Sequence, residues 1–202
     1  MLDQASKLRQ IVKEIDDNIK GTRIYSIISG KGGVGKTKFA LELEGDFLEI
    51  GKKVISLDAG NFQELGKEEI INSLETIRDY EVVIINNSDG FSEESLKFTK
   101  LAHEAILVTM PGISSITETY KFLKLLNQEE IKNKVRILVN NRDDLGREDT
   151  FKKLDETTRK FLDIKLEDIT DISRDDLVES LYNSDVYNEE QLKGKILDIF
   201  GG

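Results

Sequence analysis

The sequence contains no cysteine and no tryptophan, and it has a single histidine, His103. Without cysteine the chain has no disulfide framework, no thiol nucleophile and no cysteine-ligated cluster or structural zinc site. A single histidine leaves histidine-based triads and metal sites almost without ligands, and we expect His103 to end a helix. These absences exclude thiol-dependent enzymes, zinc-finger proteins and enzymes that depend on histidine triads.

Long hydrophobic runs are also missing. No stretch approaches the roughly 18 consecutive apolar residues that a membrane-spanning helix needs. The N-terminus lacks the apolar core of a secretory signal peptide. The sequence therefore predicts a cytoplasmic protein.

The charge balance is acidic, with a formal net charge of −10 at pH 7. A protein that binds nucleic acid without sequence preference presents a basic surface, so this balance predicts no nucleic-acid partner. The acidic residues are concentrated between Asp163 and Gln191. We interpret residues 171–188 within this stretch as a solvated acidic tether.

Short β-branched runs alternate with longer amphipathic runs along the chain. The short runs are too continuously apolar for one-sided antiparallel strands, so they predict an α/β fold with a mostly parallel sheet and helices on both faces. The predicted strands are Arg23–Ser29, Lys53–Leu57, Glu81–Asn86, Ala105–Thr109 and Val135–Asn140. The predicted helices are Lys36–Ile50, Glu64–Asp79, Ser92–His103, Ser115–Asn127 and Glu148–Leu162.

A glycine-rich stretch, GKGGVGKT at residues 30–37, follows the first predicted strand and opens the first predicted helix. It fills the phosphate-loop pattern G-x-x-x-x-G-K-[ST] at every position. The glycines allow backbone N–H groups to point at phosphate oxygens, and the helix N-terminus adds partial positive charge. We expect Lys36 to neutralise the β- and γ-phosphates and the Thr37 hydroxyl to ligate Mg²⁺. The alternative is an ordinary strand-to-helix turn.

A lysine directly after the first glycine sharpens this interpretation. Lys31, in the run KGGVGKT, resembles the deviant phosphate loop of the MinD/ParA family of ATPases. The resemblance implies that Lys31 reaches the phosphates of a partner across a nucleotide-sandwiched homodimer, and it makes Lys31 and Lys36 the catalytic residues. Taken alone, Lys31 also fits a solvated surface lysine. The implied cofactors are ATP or ADP with Mg²⁺, bound by Gly30, Lys31, Gly32, Gly33, Val34, Gly35, Lys36, Thr37 and Lys38.

Three further stretches resemble the FlhG (FleN, YlxH) subgroup of flagellar-number regulators within this family. The run VTMPGISSITETY is similar to the subgroup's V-T-x-P-E-P-T-S-I-T-D-A-Y, and ILVNN matches a strand that ends in a nucleotide-base contact, here Asn140. The resemblance implies control of flagellar number or placement through ATP-dependent dimerisation, membrane association and an FlhF-like GTPase of the signal-recognition type. The subgroup's partner-binding motif D-Q-A-x-x-L-R is matched by Asp3, Gln4, Ala5, Leu8 and Arg9.

Both ends of the chain carry an apolar stripe at helical spacing, and they flank the predicted nucleotide-binding domain at residues 21–170. The stripe in residues 1–20 fits either a helix docked on its own domain or a helix that binds the partner GTPase. Residues 189–202 resemble the MinD membrane-targeting tail and fit either a membrane interface or packing on the domain. The residues predicted to contact the membrane are Leu192, Ile196, Leu197, Ile199 and Phe200.

The sequence departs from the family pattern at groups that hydrolyse nucleotide. The run LDAGN keeps Asp58, a predicted metal ligand with Thr37, but lacks the second aspartate that positions the attacking water. The third strand ends in Asn86 where the family has an aspartate, and Asp89, three residues further on, is the alternative source of that carboxylate. Because an amide brings no negative charge beside Mg²⁺, we expect nucleotide binding with slow or absent hydrolysis. The alternative is a degenerate scaffold that acts only through protein contacts.

Overall fold

The computed structural model describes residues 21–131, 134–141 and 145–201. Within them six strands form one sheet in the order β2-β3-β1-β4-β5-β6, and all neighbouring strands pair in parallel. The strands are β1 (Arg23–Ile28), β2 (Val54–Asp58), β3 (Val82–Asn86), β4 (Glu104–Thr109), β5 (Lys134–Val139) and β6 (Glu167–Asp168). The predicted partner-binding residues lie outside the described residues; they are Asp3, Gln4, Ala5, Leu8 and Arg9.

Helices connect the strands, as the alternation of the sequence predicts. Two short 3-10 helices lie at Ala59–Phe62, directly after β2, and at Thr76–Asp79, so the predicted helix Glu64–Asp79 is an α-helix over Lys67–Glu75 with a 3-10 extension. The predicted α/β fold with a parallel sheet is confirmed. The α-helices are α1 (Lys36–Glu49), α2 (Lys67–Glu75), α3 (Glu93–Leu101), α4 (Ile113–Gln128), α5 (Arg147–Leu162), α6 (Arg174–Tyr182) and α7 (Glu189–Phe200).

The helices cover both faces of the sheet. On one face α1 and α6 pack on strand residues that include Tyr25 and Ile84. On the opposite face α2, α3 and α7 pack around Ile24 and Val83, and α4 and α5 pack around Ile137. Successive strand residues point to opposite faces, so a strand covered on both faces must be apolar at nearly every position. This is why β1 and β4 are nearly unbroken hydrophobic runs.

The structure corrects the prediction of a solvated tether at residues 171–188. This stretch contains α6, whose Leu177 and Leu181 side chains are buried against the sheet. The Tyr25 hydroxyl also donates to the Leu181 carbonyl oxygen at 2.5 Å. Apolar residues three and four positions apart build a buried helix face among the carboxylates. The net charge of the segment describes only the opposite, solvated face.

The predicted membrane-contacting stripe of α7 also packs on the domain. The Phe200 ring lies 5.3 Å from the Phe98 ring of α3, between centroids, whereas Leu197 is 46% exposed. Membrane contact by the stripe therefore requires α7 to leave the sheet. In the described part of the chain, no helix combines the length and the apolar character needed to cross a membrane. The buried members of the stripe are Leu192, Ile196, Ile199 and Phe200.

The segment between α6 and α7 is tied to the start of β1. Thr22 and Tyr187 form an antiparallel bridge with N–H···O distances of 2.9 and 3.0 Å. The His103 ring lies 3.8 Å from the Tyr187 ring, between centroids, and its Nδ1 accepts the Ile24 N–H at 3.0 Å. Burial lowers the pKa of His103 to about 4, so the imidazole is neutral at pH 7. His103 does not end a helix. It follows α3, and its contact with Tyr187 supports the bridge between Tyr187 and Thr22.

Replacement of Ile196 by alanine is expected to lower the free energy of unfolding by about 2–5 kcal/mol, because it leaves a cavity under α7. The Ile196 side chain is 1% exposed. Denaturant unfolding followed by circular dichroism measures the change. Leu197→Ala is the matched control on the same helix and should cost less than about 1 kcal/mol. Equal losses in the two variants would contradict the packing of α7 on the sheet.

Candidate nucleotide-binding site

The phosphate-loop sequence lies at the end of β1, in the middle of the sheet. β1 pairs with β3 on one side and with β4 on the other. The chain first extends the sheet on the β3 side and then crosses to the β4 side. Open parallel sheets place their ligand crevice at such a switch point. Because the loop leads directly into α1, the N-terminus of this helix lies at the crevice.

Glycine is required in the loop for its turn and for its close packing. Gly33 and Gly35 adopt the left-handed region, with φ of +76° and +90°, where residues with a Cβ are strained. A Cβ on Gly30 would lie 2.7 Å from the Glu118 carbonyl carbon in α4. A Cβ on Gly35 would overlap the side-chain amide of Asn140. The predicted phosphate-binding glycines therefore form a tight loop pressed against α4 and the end of β5.

Lys36 is buried at the base of this loop, with 5% of its side chain exposed. Its Nζ donates to Asn86 Oδ1 at 3.1 Å and to the carbonyl oxygen of Asn87, and it lies 3.5 Å from Asp89 Oδ1. An ammonium group has three N–H donors. All three partners belong to the end of β3 and the segment after it, so Lys36 is held over that end of the sheet.

Asn87 is a site residue that the sequence alone did not reveal. Its side chain is buried, and Nδ2 donates to Ser26 Oγ at 2.9 Å and to the Ile27 carbonyl at 3.1 Å. These bonds join the end of β3 to β1 and orient the Asn87 carbonyl toward Lys36. The available signal was a second polar residue directly after the apolar run of β3. Only the pairing of β3 with β1 shows what this side chain contacts.

The two predicted metal ligands flank Asn86. Thr37, exposed at the start of α1, accepts from Asn86 Nδ2 at 3.3 Å. Asp58 lies beside Asn86 in the parallel register of β2 and β3, and its Oδ1 accepts the Gly60 N–H at 2.9 Å. Across the described residues, no cluster of three or more carboxylate or histidine side chains is arranged to hold a metal ion. The hydroxyl of Thr37 and the carboxylate of Asp58 are two oxygen donors at this edge.

A cavity of about 300 Å³ opens beside the loop, between α1 and α6. Asn140 lies at its edge, where Nδ2 donates to the Val34 carbonyl oxygen at 2.8 Å, and Lys38 and Gly35 line the end nearest the loop. A cavity that combines an apolar wall with a set of polar groups can hold a small ligand and fix its orientation. Its position next to a phosphate loop suits a nucleoside. The apolar wall consists of Phe39, Leu138, Ile169, Ile172 and Leu177.

Arg174 crosses the outer wall of this cavity from α6 to α1. Its guanidinium donates to Glu42 at 2.6 Å and to Asp46 at 2.8 Å. The hydrogen bond from Arg174 lowers the pKa of the Glu42 carboxyl, and the bonds to Asp46 and Glu42 raise the pKa of Arg174. Lys38 Nζ lies 3.5 Å from the same Glu42 carboxylate. The two cations offset a carboxylate that would otherwise repel an anionic ligand.

The residues present fit a phosphate chain better than they fit a magnesium ion. Gly32 and Gly33 are exposed, Lys31 is half-buried at the rim, and Lys36 supplies a buried positive charge. Bound Mg²⁺ would neutralise phosphate oxygens and would normally be held by carboxylates among its oxygen ligands. Here the residue between the two predicted metal ligands is Asn86, an amide. The site therefore has several groups that can bind phosphate and few that can bind a metal ion.

Comparison with known proteins accounts for this combination of loop, helix and cavity. Residues 25–188 match the family described as the CobQ/CobB/MinD/ParA nucleotide binding domain. The chain belongs to this family. The matched span of the CobQ/CobB/MinD/ParA domain contains the phosphate loop, all of the strand ends described above and α6. The family match therefore covers the candidate site as a whole.

Individual members of the family show the same relationship. Antiactivator FleN from Pseudomonas aeruginosa is 23% identical over 211 residues, covering 77% of this chain and 75% of FleN. The MinD cell division protein from Aquifex aeolicus has a similar fold, with a TM-score of 0.54, 16% identity, and coverage of 89% of this chain and 98% of that one. MinD from Pyrococcus horikoshii, solved in complex with Mg-ADP, has a TM-score of 0.51, 18% identity and coverage of 88% and 96%. The predicted resemblances to MinD/ParA proteins and to FlhG (FleN) are confirmed.

Proposed function

We propose that this chain is a nucleotide-binding regulatory switch of the MinD/FlhG type, which binds ATP and ADP with Mg²⁺ and hydrolyses ATP slowly or not at all. The proposal rests on one observation: the site has the groups that bind phosphates but lacks the aspartates that the family uses for hydrolysis. The left-handed glycines and buried Lys36 are in place. The strands β2 and β3 end in Asp58 and in the amide of Asn86.

The geometry supports binding without efficient hydrolysis. The loop N–H groups, the N-terminus of α1 and Lys36 bind the phosphates, and the nucleoside lies in the cavity beside Asn140. Phosphoryl transfer to water depends on positioning and charge. Asn86 can orient a water but adds no charge, and the Asp58 carboxylate is engaged by the Gly60 N–H. Loss of a water-orienting carboxylate reduces the rate by about 10²- to 10⁴-fold.

Replacement of Lys36 by alanine is expected to weaken ATP and ADP binding by about 10- to 100-fold, because charge-assisted hydrogen bonds to phosphate are lost. Isothermal titration calorimetry with Mg²⁺ measures both affinities. Lys100→Ala removes the same charge from an exposed position on α3 and should leave them unchanged. Rapid ATP turnover by the wild-type chain that disappears in Lys36→Ala would contradict the loss of hydrolysis.

A homodimer that forms on ATP is the second part of the proposal, with Lys31 contacting the phosphates of the partner subunit. The half-buried position of Lys31 at the rim of the loop supports this role. A dimer also presents two copies of α7, and paired weak membrane anchors bind far better than one. In this scheme α7 leaves the sheet and places the cytoplasmic protein on the inner face of the cell membrane.

Sedimentation with Mg²⁺ and ATP is expected to show a dimer, and with ADP a monomer. Flotation with anionic vesicles should follow the dimer, since a monomer keeps α7 packed. Lys31→Ala should lose dimer and flotation together while its ATP affinity changes by less than about threefold. The Lys100→Ala control should behave as the wild type does. Flotation of nucleotide-free monomer would contradict the required release of α7.

Regulation of flagellar number or placement through an FlhF-like GTPase is the third part of the proposal. It rests on the N-terminal D-Q-A-x-x-L-R match and on the similarity to FleN. Combined alanine substitution of Gln4, Leu8 and Arg9 should abolish pull-down of such a GTPase by the full chain. Substitution of Lys7, at a variable position of the motif, and of Lys13, outside the motif, should not. Retained binding after the first set of substitutions would overturn the assignment.

A scaffold without nucleotide is the second candidate function. It is favoured by one observation: Lys36 already donates to Asn86 and Asn87 and forms an ion pair with Asp89, so its ammonium group has three protein partners. The same calorimetry separates the two candidates. Micromolar binding that depends on Lys36 supports the switch, and no binding up to millimolar nucleotide supports the scaffold.

A further inference from the structure

The loop that follows β3 is anchored at both ends. At its start the buried Asn87 amide donates to Ser26 and to the backbone of Ile27. At its end Ser92 Oγ accepts the Ser95 N–H at 3.0 Å and begins α3. Between them, Gly90 adopts φ of +79°. A short loop held in this way has little freedom to move its side chains away from the site.

Asp89 points from this loop onto the phosphate loop. Its Oδ1 lies 3.5 Å from Lys36 Nζ. A Cβ added to Gly32 would lie only 2.6 Å from its Oδ2, so the carboxylate rests directly against the glycine backbone. The chain thus places its own anion between Gly32 and Lys36. The Asp89 side chain is 58% exposed, which leaves it able to turn outward but not to leave the neighbourhood.

The direction of a bound nucleotide follows from the cavity. The nucleoside cavity is lined by Gly35 and Lys38 at the end of the loop that enters α1. A phosphate chain that starts there extends along the loop toward Gly32 and away from the cavity. Its terminal group therefore arrives where the Asp89 carboxylate lies. A diphosphate ends one phosphoryl group earlier than a triphosphate does.

We propose that Asp89 is a specificity-determining residue that disfavours nucleoside triphosphates relative to diphosphates at this site. The inference rests on the proposed binding of nucleotide by the phosphate loop. A γ-phosphate must displace the Asp89 carboxylate from Lys36 and then remain close to it, because the loop is anchored. Like charges at such short range repel even near the surface. A diphosphate contacts the remaining part of the loop and meets less of this repulsion.

The consequence is a biased switch. Because the diphosphate state is favoured, the triphosphate state forms only when triphosphate is in excess, as population-shift arithmetic requires. Asp89 thereby sets the ratio of triphosphate to diphosphate at which the chain changes state. Slow hydrolysis leaves this ratio, rather than turnover, in control of the state.

Asp89→Asn keeps the size of the side chain and removes its charge. Calorimetric titration with Mg²⁺ should show ATP affinity rising by about tenfold and ADP affinity changing by less than about twofold. Asp89→Ala, which also removes the side-chain contact with Gly32, should show the same selective gain. Asp198→Asn removes the same charge from an exposed position on α7 and should alter neither affinity.

Two results would overturn the inference while leaving nucleotide binding intact. An unchanged ratio of ATP to ADP affinity in both Asp89 variants would show that the carboxylate does not discriminate. An equal gain for both nucleotides would show that Asp89 competes for Lys36 without reading the terminal phosphate. If neither nucleotide binds the wild type or the variants, the proposed function and this inference fail together.

Discussion

The contact between Lys36 and the segment after β3 is the interaction on which the candidate site depends. It joins the first turn of α1 to the end of β3, and β2 and α2 separate these two segments along the chain. The contact therefore forms only when β3 lies beside β1. Asn87 secures that neighbourhood through its bonds to Ser26 and Ile27. Once the contact is made, the phosphate loop has a fixed position over the sheet, with the cavity beside Asn140 on one side and Asp89 on the other.

Binding phosphates and hydrolysing them require different groups, and the contact of Lys36 provides only for binding. A buried lysine, left-handed glycines and a helix N-terminus suffice to hold phosphates, whereas hydrolysis also requires a positioned water and a charged metal shell. Asn86 Oδ1 accepts a hydrogen bond from Lys36, as an aspartate could, and Asn86 Nδ2 donates one to Thr37, which an aspartate could not. The amide carries no charge. The proposed switch would respond to which nucleotide is present and not to the time that hydrolysis takes.

The C-terminal part of the chain belongs to the same unit. Helix α6 contributes Leu177 to the core and to the wall of the cavity beside the phosphate loop, so its packing and the candidate site are inseparable. Helix α7 packs on α3, and α3 begins directly after the loop that carries Asp89. The apolar stripe proposed to reach a membrane is therefore buried two elements away from the phosphate site. Its burial also explains how an amphipathic tail can remain attached to the domain.

The sequence alone determined what depends on local order: the strand–loop–helix unit around Gly30 to Thr37, the alternation that makes a parallel sheet, and the missing carboxylate at Asn86. It did not determine the roles of Asn87 and Asp89, since their partners are fixed by strand pairing between distant segments. Nor did it decide whether the stripes of α6 and α7 face solvent, a membrane or the sheet. An apolar stripe indicates only that one face of a helix is buried, and tertiary packing decides which surface covers that face.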